Sequence, residues 1–329
     1  MNDIYKIKIL LATYNGDKFI ATQLESIIKQ SHTNWELLIS DDGSTDDTLS
    51  IINKYCLQDS RIRIVNEELS KLGSSQNFGN LIKTVLNESF DFLMFADQDD
   101  FWYSNKIELS LAAMVSEKDF ITIPKLIYTN FEFADENLNP LLEETMRITS
   151  TWKEPSFERL LVQNNIYGCT MMLNKKLSEK VFPVPVCAEN HDYWVALIAS
   201  CLGKIVHVKH SLMLYRQHSN NVSGHYTNNT FSKRFYRFFR SWKKLEFTLV
   251  SSQNQSLELY KRYSNEIFFD KNKILQKYCT LIIEKSPKLL LFQYSNGICR
   301  NTRIQTIMLY LILLKILFFP SNRLLQIKL

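Results

Sequence analysis

Lys6-Ile7-Lys8-Ile9-Leu10-Leu11-Ala12, followed at once by Thr13-Tyr14-Asn15-Gly16, is the stretch that decides the fold. The first seven residues are an apolar, β-branched run closed by an Asn-Gly turn signal, which reads as a buried strand. From Asp17 an apolar-periodic stretch runs to Gln30, the pattern of a helix with an acidic residue at its start. The pairing recurs at Glu36–Ser40, Arg61–Asn66 and Phe92–Ala96, with Ser44-Thr45-Asp46 opening a helix that reaches Tyr55. Leu126–Phe133, Ile166–Leu173 and Lys204–Leu214 read as further strands, and His191–Cys201 as a helix. Such alternation predicts an α/β protein with a mostly parallel sheet flanked by helices.

The bulk numbers fit that class. The 329 residues are 45% hydrophobic, enough to bury a sizeable core. The formal charge of +5 gives no case for a nucleic-acid partner, and the basic residues cluster late in the chain. The six cysteines (56, 169, 187, 201, 279 and 299) form no C-x-x-C pair, and no apolar leader precedes Ile7. The expectation is reduced thiols in the cytosol, each a small buried hydrophobe. Near residue 230 the character changes: strands and helices alternate before it, and the remainder is helical, basic and aromatic. Residues 1–230 are expected to form one domain and 231–329 a helical region.

In an open parallel sheet, ligands sit beyond the carboxyl ends of the strands. Those ends read Ala12-Thr13-Tyr14-Asn15-Gly16, Ser40-Asp41-Asp42-Gly43-Ser44 and Asp97-Gln98-Asp99-Asp100. Turn formation and helix capping are alternative uses for each polar cluster. Asp97–Asp100 asks for more, because three carboxylates within four residues repel one another unless a cation or basic groups offset them. Oxygen ligands at this spacing suit Mg²⁺ or Mn²⁺, which take further ligands from substrate phosphates. A nucleoside diphosphate fits such a site, the metal neutralising charge on the departing diphosphate. Further along, Glu189-Asn190-His191-Asp192-Tyr193-Trp194 opens an apolar helix. Asp192 near its N-terminus is favoured in the ionised form and can serve as a general base, or simply as a helix-start carboxylate.

These motifs, with Tyr215-Arg216-Gln217-His218-Ser219-Asn220-Asn221, carry a resemblance. In order and spacing, over residues 6 to about 225, the chain resembles family 2 glycosyltransferases of the GT-A fold. It is similar in particular to rhamnosyltransferase-like members that build bacterial surface polysaccharides. The resemblance implies that Tyr14 and the backbone at Ala12 and Thr13 line the nucleobase pocket and that Asp41 bonds the base. It implies that Asp97 and Asp99, around Gln98, form the Asp-x-Asp motif on ribose and metal, with Asp99 the direct ligand. Asp192 matches the family's catalytic base, preceded here by His191 where many members carry an acidic residue. Arg216 and His218 fall where they contact the diphosphate or the metal. The implied donor is dTDP-activated rhamnose. The insert between Ala134 and Asn164, and aromatic residues Trp102, Tyr167 and Trp194, are expected to face donor sugar and acceptor.

Two late segments point to a bilayer. On a helical wheel over Phe231–Val250, Phe231, Phe235, Phe238, Phe239, Trp242, Leu245 and Leu249 share one face. Lys233, Arg234, Arg237, Arg240, Lys243 and Lys244 occupy the other, the pattern of a helix lying on an anionic cytoplasmic leaflet. Ile304–Phe319 is short for a span and reads as an amphipathic segment, in-plane or re-entrant. The expected partners are a nucleotide-sugar donor, a saccharide acceptor carried on polyprenyl diphosphate, and the membrane's cytoplasmic face. Two other classes compete. A sugar-phosphate nucleotidyltransferase is expected to carry a glycine-rich phosphate loop, and this chain has eight glycines and no G-x-G. A membrane scaffold without activity leaves the acidic cluster and Asp192 without a task.

Overall fold

A computed structural model describes residues 4–65, 71–218 and 231–318, with only the backbone given for 231–241, 244 and 317. The chain divides into two compact units. The first comprises residues 1–150, 166–186 and 190–225, and the second 151–165, 187–189 and 226–329. The segment at 151–165 thus packs with the C-terminal helices although it precedes them by some distance in sequence.

The first unit is built on one eight-stranded sheet: β1 (Ile7–Thr13), β2 (Trp35–Asp41), β3 (Ile62–Ile64), β4 (Phe92–Ala96), β5 (Phe101–Trp102), β6 (Lys125–Ala134), β7 (Met171–Asn174) and β8 (Lys204–Arg216). Its order is β3-β2-β1-β4-β7-β6-β8-β5. The first four strands run parallel, as the alternating sequence requires. Helices α1 (Ile20–Ile28), α2 (Thr48–Gln58), α3 (Ser74–Leu86) and α4 (Lys106–Ser116) follow their strands, and α5 (Leu142–Thr149) follows β6. Helix α6 (Phe157–Leu160) belongs to the second unit; α7 (Lys175–Val181) and α8 (His191–Leu202) return to the first. The central strands are buried on both faces: Ile7, Ile9, Leu10 and Leu11 of β1 and Leu93, Met94 and Phe95 of β4 are shut off from solvent. Two-sided burial explains why these strands are apolar without alternation.

The sheet departs from the expected run of parallel strands at β7, which is antiparallel to both β4 and β6. Where one strand was expected over Ile166–Leu173, the chain makes a 3₁₀ turn at Gly168–Thr170 before β7 begins. Thr170 closes that turn by donating both its N–H (3.0 Å) and its hydroxyl (2.7 Å) to the Tyr167 carbonyl. With Met94 opposite Met172, the reversed direction brings the start of β7, and hence the turn, beside the carboxyl end of β4. β5 is only two residues long and pairs with β8, Phe101 opposite Leu214, which draws Arg216 back toward Asp99 and Asp100.

The second unit is helical: α9 (Phe231–Tyr263), α10 (Phe269–Ile283), α11 (Lys288–Ser295) and α12 (Arg303–Phe318). Its core includes Leu249, Leu259, Leu275, Tyr278 and Ile312, all nearly solvent-free. The region read as a basic and aromatic helix over residues 231–250 is helical in backbone, and most of the side chains that defined its two faces lie outside the described residues. Among the described residues, no helix is long and apolar enough to cross a membrane.

Candidate active site

The loops after β1 and β2 are knitted to one another and to the loop after β4. Asn15 takes a left-handed backbone conformation (φ 47°), and its side-chain oxygen accepts from the Thr45 N–H at 2.9 Å. Gln98 ties the acidic loop to β1 through a reciprocal pair: Tyr14 N–H donates to Gln98 Oε1 (2.9 Å), and Gln98 Nε2 donates to the Tyr14 carbonyl (3.0 Å). Gly16 leaves the room this requires, since a Cβ there would lie 2.4 Å from Gln98 Oε1. The Tyr14 ring stays open to solvent, with Lys71 Nζ 5.5 Å from its centroid. Ala12 and Thr13 pair with Ser40 and Asp41 at the carboxyl ends of β1 and β2.

Asp97, Asp100 and Cys169 place potential ligand atoms within 4.8 Å of one another. Burial raises the Asp97 carboxyl to about 7, helped by the charges on Asp99 and Asp192, while a hydrogen bond with Cys169 opposes the rise. Asp100 is pushed well above the usual carboxylate range by burial and by Asp99 and Asp97. Its Oδ2 is buried without a hydrogen-bond partner. Behind the loop sits Lys106, fully buried, its ammonium 4.9 Å from the Trp102 ring centroid and 3.7 Å from Met213 Sδ. Burial lowers Lys106 to about 8 although Cys169 and Asp100 favour its charge.

Asp99 faces the end of β8. His218 Nε2 lies 2.7 Å from Asp99 Oδ2, and Arg216 Nε donates to the Asp99 carbonyl at 2.7 Å. The Arg216 N–H reaches Asp100 Oδ1 at 3.3 Å, and its guanidinium also donates to the Glu136 carbonyl. Phe19 lies under both basic groups, its ring 4.7 Å from the His218 ring and 4.5 Å from the Arg216 guanidinium. Asp97 and Asp100, with Cys169, gather within reach of one ion, and Asp99 with His218 offers a second pair of donors; carboxylate oxygens and an imidazole are of the kind that fits Mg²⁺ or Mn²⁺. Ser219, Asn220 and Asn221 of the same motif lie outside the described residues.

Asp192 stands in the first turn of α8, where free amides favour a negative charge. Its Oδ2 accepts from the Gly168 N–H at 3.1 Å, so the 3₁₀ turn before β7 fixes it close enough to Asp97 to disfavour a second negative charge there. His191 is packed beneath, stacked on Phe78 (3.9 Å) and edge-on to Phe95 (4.8 Å). Burial drives its imidazole down to about 3, so it is neutral at physiological pH. The neutral ring adds no charge beside Asp192.

Three expectations need correction. Asp41 is 1% exposed and its carboxylate faces inward, accepting from Gly43 N–H, Ser44 N–H, the Ser44 hydroxyl and the Thr13 hydroxyl at 2.6–3.0 Å. These bonds tie the carboxyl end of β1 to β2 and occupy the carboxylate within the fold. Trp102 is equally buried, its N–H bonded to Ser26 Oγ (3.1 Å), because β5 enters the sheet beneath α1. Trp194 is core as well, its indole donating to the Val181 carbonyl at 2.9 Å. Neither indole offers a face to a sugar; of the three aromatics only Tyr167 is partly exposed. Phe19, Gly168, Cys169 and Lys106 belong to the site without having been singled out. Gly168, interrupting an apolar run, is the sequence signal for the turn that carries two of them.

The model of the family described as "Glycosyl transferase family 2" matches residues 8–182. The chain belongs to that family. It is therefore a glycosyltransferase, and its fold is the GT-A α/β fold. It is 28% identical over 256 residues to the dTDP-rhamnosyl transferase RfbG of Shigella flexneri, covering 74% of this chain and 83% of that one. It is 26% identical over 247 residues to WfgD of Escherichia coli, covering 74% and 86%. That protein is named a UDP-Glc:alpha-D-GlcNAc-diphosphoundecaprenol beta-1,3-glucosyltransferase. Among solved structures, TarS 1–349 of S. aureus in complex with UDP superposes with a TM-score of 0.53 at 14% identity, covering 94% of this chain and 90% of that one. At that identity the likeness bears on the fold alone.

Proposed function

We propose that the chain is an inverting glycosyltransferase that moves one sugar from a nucleoside-diphosphate donor to a hydroxyl of a saccharide acceptor. The observation that carries this reading is that Asp192 is bonded to Gly168, the residue before Cys169, whose sulfur lies within 4.8 Å of carboxylate oxygens of Asp97 and Asp100 beyond the carboxyl end of β4. Asp192 takes the proton of the acceptor hydroxyl as that oxygen attacks the anomeric carbon, and the bond from that carbon to the diphosphate oxygen breaks with its electron pair leaving on the diphosphate. Attack from the face opposite the leaving group inverts the centre. Asp97, Asp99 and His218 would hold a Mg²⁺ or Mn²⁺ ion, which when bound neutralises charge on the diphosphate. Arg216 contributes fixed positive charge at the same end, and Tyr14, with the backbone of Ala12 and Thr13, offers a surface for the base.

The donor we favour is dTDP-L-rhamnose, supported by the name of RfbG; the name of WfgD makes UDP-glucose the second candidate. The same WfgD name supports an acceptor on a polyprenyl diphosphate, in capsule, O-antigen or cell-wall polysaccharide synthesis. A lipid-borne acceptor calls for a peripheral enzyme on the cytoplasmic face of the membrane, with residues 1–230 catalytic and the helices of 231–329 attaching it.

A panel of nucleotide sugars tests the reading, with and without Mn²⁺ or Mg²⁺. Asp192→Asn is expected to keep donor affinity while turnover falls roughly a hundredfold or more. Asp99→Ala is expected to abolish the metal-dependent rate. Release of pyrophosphate from a nucleoside triphosphate and a sugar phosphate would establish a nucleotidyltransferase instead, and lipid binding without turnover of any donor would establish a scaffold.

A further inference from the structure

The net charge of +5 conceals a division. Residues 231–329 hold 18 Lys and Arg against 5 Asp and Glu, whereas residues 1–230 hold 21 against 29. The helical part therefore carries +13 and the remainder −8.

Helix α12 adds a second feature. It was expected to be amphipathic, and it is instead apolar on two sides. Leu309, Ile312 and Leu313 are buried within the helical unit, where α12 packs on α9. On the opposite side Ile304, Ile307, Leu311, Leu314 and Phe318 are 36–72% exposed. Their spacing of three and four residues sets them in one stripe along the helix. Helix α11 exposes Leu291 and Tyr294 as well. A row of large apolar side chains in water marks an interaction surface.

We propose that the open face of α12 is a lipid-docking surface that settles into the headgroup and upper acyl region of an anionic leaflet. Charge decides between occupants. A second copy of this chain meeting the first through the same face would bring another +13 against it, whereas acidic headgroups complement it. Length decides the mode, since the 16 residues of α12 span about 24 Å, short of a hydrocarbon core of about 30 Å. The helix lies in the plane of the leaflet. This inference rests on the membrane-surface reading above and refines it, because it assigns insertion to the stripe on α12 and not to the basic helix over residues 231–250.

Flotation of the full chain with vesicles of phosphatidylcholine, alone or mixed with phosphatidylglycerol, tests it. The wild-type protein is expected to float with the anionic vesicles, to stay behind with neutral ones and to be released by salt. The double variant Ile307→Glu/Leu311→Glu, changed only at exposed positions, is expected to lose roughly tenfold or more in affinity for anionic vesicles. Its melting temperature and donor turnover with a water-soluble acceptor should match wild type. Equal vesicle binding by the variant would overturn the proposal while leaving the membrane reading intact. Absence of wild-type binding to any vesicle would overturn both. Equal binding to neutral vesicles would refute the anionic occupant, and a wild-type dimer broken by the variant, with no vesicle binding, would show the stripe to be a self-interface.

Discussion

Replacing Gly168 by alanine tests how Asp192, the proposed base, is held. The new Cβ would stand 2.8 Å from His191 Nε2 and 3.4 Å from Asp192 Cβ. Carbon and nitrogen at rest need about 3.5 Å, so roughly 0.7 Å must be found. His191 cannot supply it easily, being 6% exposed and held between Phe78 and Phe95. The displacement passes to the turn or to the first residue pair of α8, and the 3.1 Å bond from Gly168 N–H to Asp192 loosens. Overpacking of this kind costs about 1–3 kcal/mol of stability. A displacement of about 1 Å at a catalytic group can cost about a hundredfold in rate, so a fall in kcat of roughly ten- to a hundredfold is expected with donor KM little changed. Steady-state kinetics at saturating acceptor, with thermal melting, provide the assay. Adding His191→Ala to Gly168→Ala should relieve the clash and restore part of the lost rate. A variant that loses stability yet turns over at the wild-type rate would refute the argument, as would strict additivity of the two substitutions.

The buried titratable groups set two pH dependences. His191 titrates near 3 in the folded protein and about 6.5 when unfolded, so the unfolded chain binds the extra proton between those values and stability falls as pH drops from 6.5 toward 3. His191→Leu should flatten this acid loss, worth at most about 5 kcal/mol, in denaturant titrations across that window. Lys106 is held near 8 against about 10.4 unfolded, so its burial penalty is full below pH 8 and disappears as pH rises to 10.4. Wild type should therefore gain about 3 kcal/mol relative to Lys106→Met across that interval, and parallel stability curves would contradict the assignment.

The parts of this molecule that a reader of the sequence can recover are those where one local pattern has one meaning. β1, β2 and β4 are apolar runs closed by turn residues, and the structure keeps them within a residue or so of their expected bounds. Asp192 is legible because the helix start is marked on both sides. Asp41 is not, since whether a carboxylate at a strand end faces a ligand or its neighbour depends on the register that sets Thr13 beside it. β5 is too short to have a period, and the apolar residues around Gly168–Thr170 disguise a turn as a strand. Lys106 has the look of a solvated residue at a helix start, and only the packing of Trp102 and Met213 around it reveals a buried cation. In α12 the composition shows a helix, but which apolar side is covered depends on where α9 lies.

The two-residue strand β5 imposes an order on the making of the enzyme. Among the described residues its partner in the sheet is β8, so the acidic loop just before it is pinned from that side only when Leu214 comes to lie opposite Phe101. A ribosome that has released the first two hundred residues has made nearly every group the chemistry needs, yet the nascent chain still lacks the arginine and imidazole that restrain Asp99. Competence to grip the proposed cation should then arrive abruptly near the close of synthesis of this unit, and shorter fragments, however well folded around β1 to β4, should remain inert.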